Sequence, residues 1–385
     1  MKRIAIDFAL ISPGKAEFGG GIWTYASSLL KEFDKLDKSE FEIICFVNPD
    51  FVLDLRTIRL IRIPANINNS LLRLIWTHFV LPILCIYCRI DLLHKLATEI
   101  PFYTPTKLIT TVHDLMIEFY LKDKKFTDSW TFIGKLKAKY FIAVTKHTLK
   151  RSDRLIVPDK TILNEISSDY KTNLGKIVIV NHGIDRDDRS ITNYSSSNIE
   201  SNKILYVSSF YPHKGHVYGV KAFAYLINNY SFKYQPAPEL FFRGHIKDKD
   251  YYANTVCEID KSGCKEKFHF EKYDSKLTIS EIYKSVSVFF LLSEYEGFGI
   301  PVLEAQSFGI PVICSDIKVF RETLGDSAIF VNFRESDEVA RKLFELYTSK
   351  EMKLDYSSRG LINSSKYNWP NSADITYDIY RKIIN

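Results

Sequence analysis

Short apolar, β-rich runs alternate along this chain with longer stretches of helical spacing. In the first half, the runs at 3–8, 42–47, 58–63, 91–94, 107–112, 154–157 and 177–180 predict strands, and residues 24–33 place apolar side chains at helical intervals. In the second half, strands are predicted at 203–208, 239–242, 286–292, 310–314 and 328–331. Strand, helix, strand repeated in this way predicts an α/β fold with parallel sheets and right-handed crossovers. The pattern breaks after Asp185, where a polar, Ser-rich stretch reads as a linker. The expected organisation is a domain over 1–185, a linker over 186–200 and a second domain from 201. Two doubly wound parallel-sheet domains joined there would face each other across a cleft. Ligands of such sheets bind at the carboxyl ends of the strands, so the loops that follow strands should carry the chemistry.

Composition narrows the class. A chain of 385 residues has room for two domains of about 150–200 residues. At 46% hydrophobic and 25% charged it is neither disordered nor fibrous. The six cysteines are scattered and read as reduced thiols of a cytosolic protein. Cys85 and Cys88 form a C-x-x-C, but no second pair or histidine cluster completes a zinc site, so no metal is expected. Met1-Lys2-Arg3 leads straight into a strand without a small-residue cleavage site, which predicts no signal peptide. The apolar run between Arg73 and Arg89 has 15 residues, includes His78 and Pro82, and falls short of the roughly 20 that a bilayer span requires. It reads either as a core-facing helix or as a membrane contact.

Charge is unevenly placed. Residues 121–160 hold eleven Lys or Arg against four Asp, a net +7 where the whole chain is +6. Such a cluster suits anionic lipid head groups, a diphosphate-bearing substrate or nucleic acid, and it equally suits a solvated helix face. Without a recognisable binding motif or an aromatic stacking platform, nucleic acid is not expected as a partner.

The most informative segment is Ser293-Glu294-Tyr295-Glu296-Gly297-Phe298-Gly299-Ile300-Pro301-Val302-Leu303-Glu304-Ala305, which follows an apolar strand. Proline favours the first position of a helix, so a helix should begin near Pro301 and end before Gly309. The amides of 297–303 are then expected to lack helical partners and to suit a phosphate. The carboxylates of Glu296 and Glu304 are acceptors for paired hydroxyls of a sugar or ribose.

This string, with Gly309-Ile310-Pro311-Val312 after it, resembles the E-x7-E signature of the GT4 family of retaining glycosyltransferases. Gly20-Gly21-Ile22 resembles the family's N-terminal glycine loop, and Val112-His113-Asp114 its His-Asp pair. Asn181-His182-Gly183-Ile184-Asp185 resembles the end of its first domain, and Pro212-His213-Lys214-Gly215 its phosphate-binding lysine loop. The resemblance extends over nearly the whole chain. It implies the GT-B fold, with an acceptor domain first, a nucleotide-sugar domain over 201–368, and a final segment, 369–385, that returns to the first domain. It gives Glu296 and His113 catalytic parts. Donor binding falls to Gly20, Gly21, Ser209, Lys214, Gly297, Phe298, Gly299, Ile300 and Glu304, with Glu304 on the ribose and Lys214 on the diphosphate. Trp23 and Asp114 stand on the acceptor side. Ser209 occupies a place where the family often has arginine, so Lys214, with His213 or Arg243, must meet the diphosphate charge. Trp23, where a further glycine is frequent, would shape the acceptor entrance or simply pack.

The implied activity is metal-free, same-face transfer of a hexose, mannose foremost, from GDP-mannose or a UDP-sugar, with no resident cofactor. The acceptor would be a lipid-diphosphate-linked or oligosaccharide acceptor of O-antigen type. The setting would be cytoplasmic, peripheral on the inner face of the cytoplasmic membrane, with residues 121–160 on an anionic surface. Three rivals are weaker. A dinucleotide oxidoreductase needs G-x-G-x-x-G after the first strand, where Ala9–Gly14 lacks it. Nucleic-acid binding rests on the basic stretch alone. A non-catalytic relative acting as a partner subunit is opposed by intact Glu296, Glu304 and Lys214.

Overall fold

The structure is a computed structural model that describes residues 1–11, 20–36, 40–64, 66–67, 69–128, 130–185, 199–271 and 279–384. It comprises two compact units, Met1–Gly183 with Asn368–Asn385, and Ile184–Tyr367. The expected linker lies outside the described residues except for its last two.

The first unit is built on seven parallel strands, β1 (Lys2–Asp7), β2 (Phe41–Val47), β3 (Arg59–Arg62), β4 (Leu92–Lys95), β5 (Lys107–Thr111), β6 (Arg154–Val157) and β7 (Ile177–Ile179), in the order β3-β2-β1-β4-β5-β6-β7. Helices cover both faces, which is why the strands read as apolar runs and not as alternating ones. Along β1, Ile4 and Ile6 pack with Leu29, Phe33 and Tyr380, while Ala5 packs with Ile44, Phe46 and Trp76 on the other face. The final helix, Trp369–Ile384, belongs to the first of these cores. It passes so close to Gly183 that a Cβ there would lie 2.3 Å from the Trp369 nitrogen.

The second unit has six parallel strands, β8 (Lys203–Val207), β9 (Glu239–Arg243), β10 (Phe268–Glu271), β11 (Val288–Leu291), β12 (Val312–Ser315) and β13 (Ile329–Val331), in the order β10-β9-β8-β11-β12-β13. Chain order reverses between β8 and β11. At such a switch point the loops leaving adjacent strands diverge and open a crevice. The two loops concerned are those carrying Lys214 and Glu296.

The glycine-turn helix spans Ile300–Ser307, as its proline and glycine predict. Two elements differ from the sequence reading. Strand β10 is unpredicted: Phe-His-Phe-Glu is short, sits at the sheet edge and follows a basic turn, so it reads as loop. The apolar run is part of an 18-residue helical segment, Ser70–Tyr87, with a π turn at Trp76–Val80 and a mean hydropathy of 1.6. By length and composition it could cross a membrane; counting only between the two arginines had clipped it. It is both core and surface, with Trp76, Leu81 and Cys85 buried and its other side exposed.

Gly183→Ala is expected to cost about 2 kcal/mol, because the new methyl meets backbone that cannot yield locally. Thermal unfolding gives the total. Faster amide exchange across 369–384 than elsewhere in the first unit would locate the loss.

Candidate functional site

After β8 the chain runs through Ser208, Ser209 and Phe210 into a single 3₁₀ turn, Pro212–Lys214, and then the helix His216–Asn229. Gly215 joins turn to helix at φ +66°, and a Cβ on it would lie 1.9 Å from the carbonyl oxygen of Leu292. Only glycine allows that approach. The buried hydroxyl of Tyr206 donates to the Lys214 carbonyl at 2.6 Å and accepts the Leu292 amide at 3.0 Å. The Glu294 amide donates to the His213 carbonyl at 2.7 Å. The loops after β8 and β11 are thereby locked together. Lys214 Nζ donates to Glu296 Oε2 at 2.7 Å, and Ser293 Oγ donates to Glu296 Oε1 at 2.7 Å.

The helix Ile300–Ser307 starts from Gly299, which caps it at φ +91°. The amides of Val302 and Leu303 donate to the Gly299 carbonyl at 3.1 and 3.4 Å, and Pro301 has none. The expected open set of 297–303 therefore narrows. Among the described residues, no hydrogen bond takes the amides of Gly297, Gly299 or Ile300. Phe298 and Ile300 bury their side chains, Phe298 edge-on to Tyr367 with ring centroids 5.6 Å apart, so both face the loop with backbone only. The dipole and the unpaired donors of this helix end suit an anion.

Glu304 lies one turn along. The Tyr283 hydroxyl is 3.2 Å from its Oε2 and 3.2 Å from the Pro301 carbonyl oxygen. Burial pushes the Glu304 carboxyl up to about 7, opposed by the Tyr283 hydrogen bond and reinforced by the negative charge of Asp185. Neither candidate helper of Lys214 supplies a free cation. Arg243 is buried and ion-paired to Glu271 at 3.4 Å, and burial next to Lys214 holds the His213 imidazole well below its usual range and hence neutral. Ser209 is half-buried, beside Gly244, where a Cβ would lie 1.8 Å from the Ser208 carbonyl oxygen.

The remaining expected residues belong to the first unit. Gly20 and Gly21 are exposed and open the helix Gly21–Lys35. Nothing approaches within 4 Å of a Cβ placed on Gly20. Trp23 is half-buried and packs edge-on against Phe8, with ring centroids 5.3 Å apart. His113 follows β5 with both ring nitrogens engaged: Nε2 donates to the Leu96 carbonyl at 2.9 Å, so Nδ1 accepts from His182 Nε2 at 3.2 Å. Burial lowers the pKa of both histidines. Asp114 accepts the Met116 amide at 3.1 Å, a turn-capping contact. Residues 12–19, which lead into the glycine loop, and 272–278 lie outside the described residues.

Three contributors were missed in the sequence. Ser293 could have been found, since Ser-x-x-Glu is a spacing that brings side chain to side chain across one turn. Tyr206 and Tyr283 carry no such signal, because an aromatic in an apolar run reads as core.

The family model described as Glycosyltransferase Family 4 matches residues 19–188, and that described as Glycosyl transferases group 1 matches 188–361. The chain is 27% identical over 222 residues to the O-antigen chain mannosyltransferase RfbU of Salmonella typhimurium, covering 58% of this chain and 56% of that one. It is 29% identical over 100 residues to the O-antigen chain mannosyltransferase B of Escherichia coli, covering 26% of each. The match thus spans well under two thirds of these curated relatives. Among solved structures, Anabaena HepE in complex with UDP and glucose superposes with a TM-score of 0.73 at 15% identity, covering 99% of this chain and 100% of that one. Two parallel-sheet units with these loops at the second switch point define a GT-B fold. The chain belongs to the GT4 family of glycosyltransferases and resembles the O-antigen mannosyltransferases within it.

The Glu304 carboxyl should titrate with a midpoint of about 7 by carbon-detected NMR. Tyr283→Phe should raise that midpoint further, because it removes the donor that stabilises the charged form. A midpoint in the ordinary carboxylate range would contradict the burial argument.

Proposed function

We propose that the chain is a glycosyltransferase that moves a hexose, mannose foremost, from a nucleotide diphosphate sugar to a lipid-linked or saccharide acceptor during synthesis of a surface polysaccharide. The observation that carries this reading is the clamped Lys214–Glu296 pair beside the open amides of Gly297, Gly299 and Ile300. A cation and a row of amide donors are what a departing diphosphate requires, and a carboxylate held on its rim is what sugar hydroxyls require. On binding, Lys214 exchanges Glu296 for the diphosphate, and Glu296 turns to the sugar. Glu304 accepts the ribose hydroxyls. As the family resemblance implies, transfer is same-face and retaining, with Lys214 and the amides stabilising the departing diphosphate. Committed hydrogen bonds on both nitrogens of His113 favour a positioning part for it over proton transfer. The reaction is placed in the cytoplasm, at the inner face of the membrane that holds a lipid-linked acceptor.

The likeness to the two O-antigen mannosyltransferases supports mannose. HepE, solved with UDP and glucose, supports the second reading, a UDP-sugar-dependent transferase of the same class.

Calorimetry with GDP-mannose and UDP-glucose decides between them. GDP-mannose should bind, and Lys214→Ala should weaken it by about tenfold or more, as expected for a lost charge-assisted contact. Glu296→Ala should cut transfer by about a hundredfold with the melting temperature unchanged. UDP-glucose binding alone would replace mannose, and no binding by either would overturn the class of activity.

Affinity for the intact sugar nucleotide, whose diphosphate does not titrate near neutrality, should depend on pH. The ionised Glu304 accepts the diol and the protonated one does so less well, so binding favours loss of the proton. Affinity should therefore fall as pH drops below about 7. Glu304→Gln should flatten the profile.

A further inference from the structure

At the amino ends of the first sheet, opposite the loop that carries His113, lies a cavity of about 590 Å³ lined wholly by the first unit. That volume is within the range of small-ligand pockets. A strand's length, roughly 17 Å, separates it from His113. Four neighbouring strands present charge to it in alternation. Lys2 starts β1, Asp91 precedes β4, Lys107 starts β5 and Asp153 precedes β6. Lys2 Nζ donates to Asp91 Oδ1 at 3.0 Å, and Lys107 Nζ lies 3.8 Å from Asp153 Oδ1. Backbone holds the other oxygen of each carboxylate: Asp91 Oδ2 accepts the Arg3 amide and Asp153 Oδ2 the Leu108 amide, both at 2.8 Å. The carboxylates are therefore fixed, yet each keeps further lone pairs, and each ammonium keeps further protons to donate.

With side chains 55% and 59% exposed, the two lysines contribute little to folding through these pairs. The rest of the lining mixes apolar surface with one more cation. Phe102 stacks one ring face on His78, with centroids 3.8 Å apart, and is still 60% exposed, so its other face is open. Ile383 and Ile384 of the final helix add aliphatic wall. Arg151, the last residue of the helix Phe132–Arg151, is exposed and has no acidic partner among the described residues.

From this juxtaposition of a row of alternating donors and acceptors with an open aromatic ring, we propose that the cavity binds a saccharide, at a site separate from the one where transfer takes place. A hydroxyl both donates and accepts, so successive hydroxyls of a sugar match a row in which ammonium and carboxylate alternate. The apolar C–H face of the same sugar packs on the Phe102 ring, and the Arg151 guanidinium adds a fork of donors at the rim. The pairing decides the class of ligand. A simple anion would meet Asp91 and Asp153 together with the lysines, and an apolar ligand would strip water from both ion pairs with nothing in return. A polysaccharide held here stays beside the enzyme between additions, which raises the effective concentration of its growing end. That the saccharide is the enzyme's own product rests on the proposed function, whereas saccharide binding itself does not.

The test is calorimetry of the full chain with mannotetraose and with maltotetraose, joined to amide hydrogen exchange to locate the ligand. At least one of the two should bind in the millimolar range or tighter, and it should slow exchange over residues 102–108. Phe102→Ala with Lys107→Ala should weaken that binding by about tenfold or more, since a stacking face and a charged donor are lost together. Both positions are exposed, so the melting temperature and the affinity for sugar nucleotide should stay at wild-type values. Equal binding by the double variant, slowed exchange only at the loops of the transfer site, or no binding of either oligosaccharide would each overturn the inference. Sugar-nucleotide binding is titrated separately, so this inference and the proposed function can fail independently.

Discussion

The hydroxyl of Tyr206 is the constraint on which the second unit's chemistry depends. Two loops leave adjacent strands at a switch point, where sheet geometry alone would let them diverge. One buried phenol donates to the first loop at the Lys214 carbonyl and accepts from the second at the Leu292 amide. Burial keeps that phenol un-ionised far above neutral pH, so both roles persist. Gly215 closes the same gap by pressing its Cα against the Leu292 carbonyl. The Lys214–Glu296 contact is a consequence of this clamp. Two long side chains on independent loops would lose much of such a contact to rotamer entropy. Here the backbones beneath them are already joined.

Electrostatics within the unit follows from what is buried. Arg243 is taken up by Glu271, and His213 is neutral, which leaves Lys214 as the cation that the two loops hold against Glu296. The helix beginning at Ile300 adds partial positive charge through its amides without a side chain, and so without a mobile group to order. Glu304, held near its own titration point, is a carboxylate that a hydroxyl-rich ligand would complete. Each feature has the same origin: a polar group placed where water is scarce takes its character from one or two fixed neighbours.

Much of this was legible in the sequence, and the reasons differ between elements. Strands buried on both faces announce themselves as apolar runs, so both sheets could be read. Gly297-Phe298-Gly299-Ile300-Pro301 could be read because glycine and proline have local conformational meaning. What escaped depends on three-dimensional pairing. Strand β10 is apolar on one side only and too short to show it. Tyr206 and Tyr283 look like core residues because they are core residues, and only their oxygens act. Arg243 looked like a helper for Lys214 until its partner, 28 residues away in sequence, was placed beside it. The segment 70–87 could not be resolved into core or surface from composition, since it is one on each side.

The central claim is that Lys214, the open amides at Gly297, Gly299 and Ile300, and Glu304 together form a binding site for a sugar nucleotide. Its most direct test is a crystal structure of the chain grown with GDP-mannose or, should that fail to bind, a UDP-sugar. The account predicts diphosphate oxygens on Lys214 Nζ and on those amides, with ribose hydroxyls on Glu304 and the Lys214–Glu296 contact opened. A nucleotide bound elsewhere, or one lying over these loops with Lys214 still on Glu296, would contradict it.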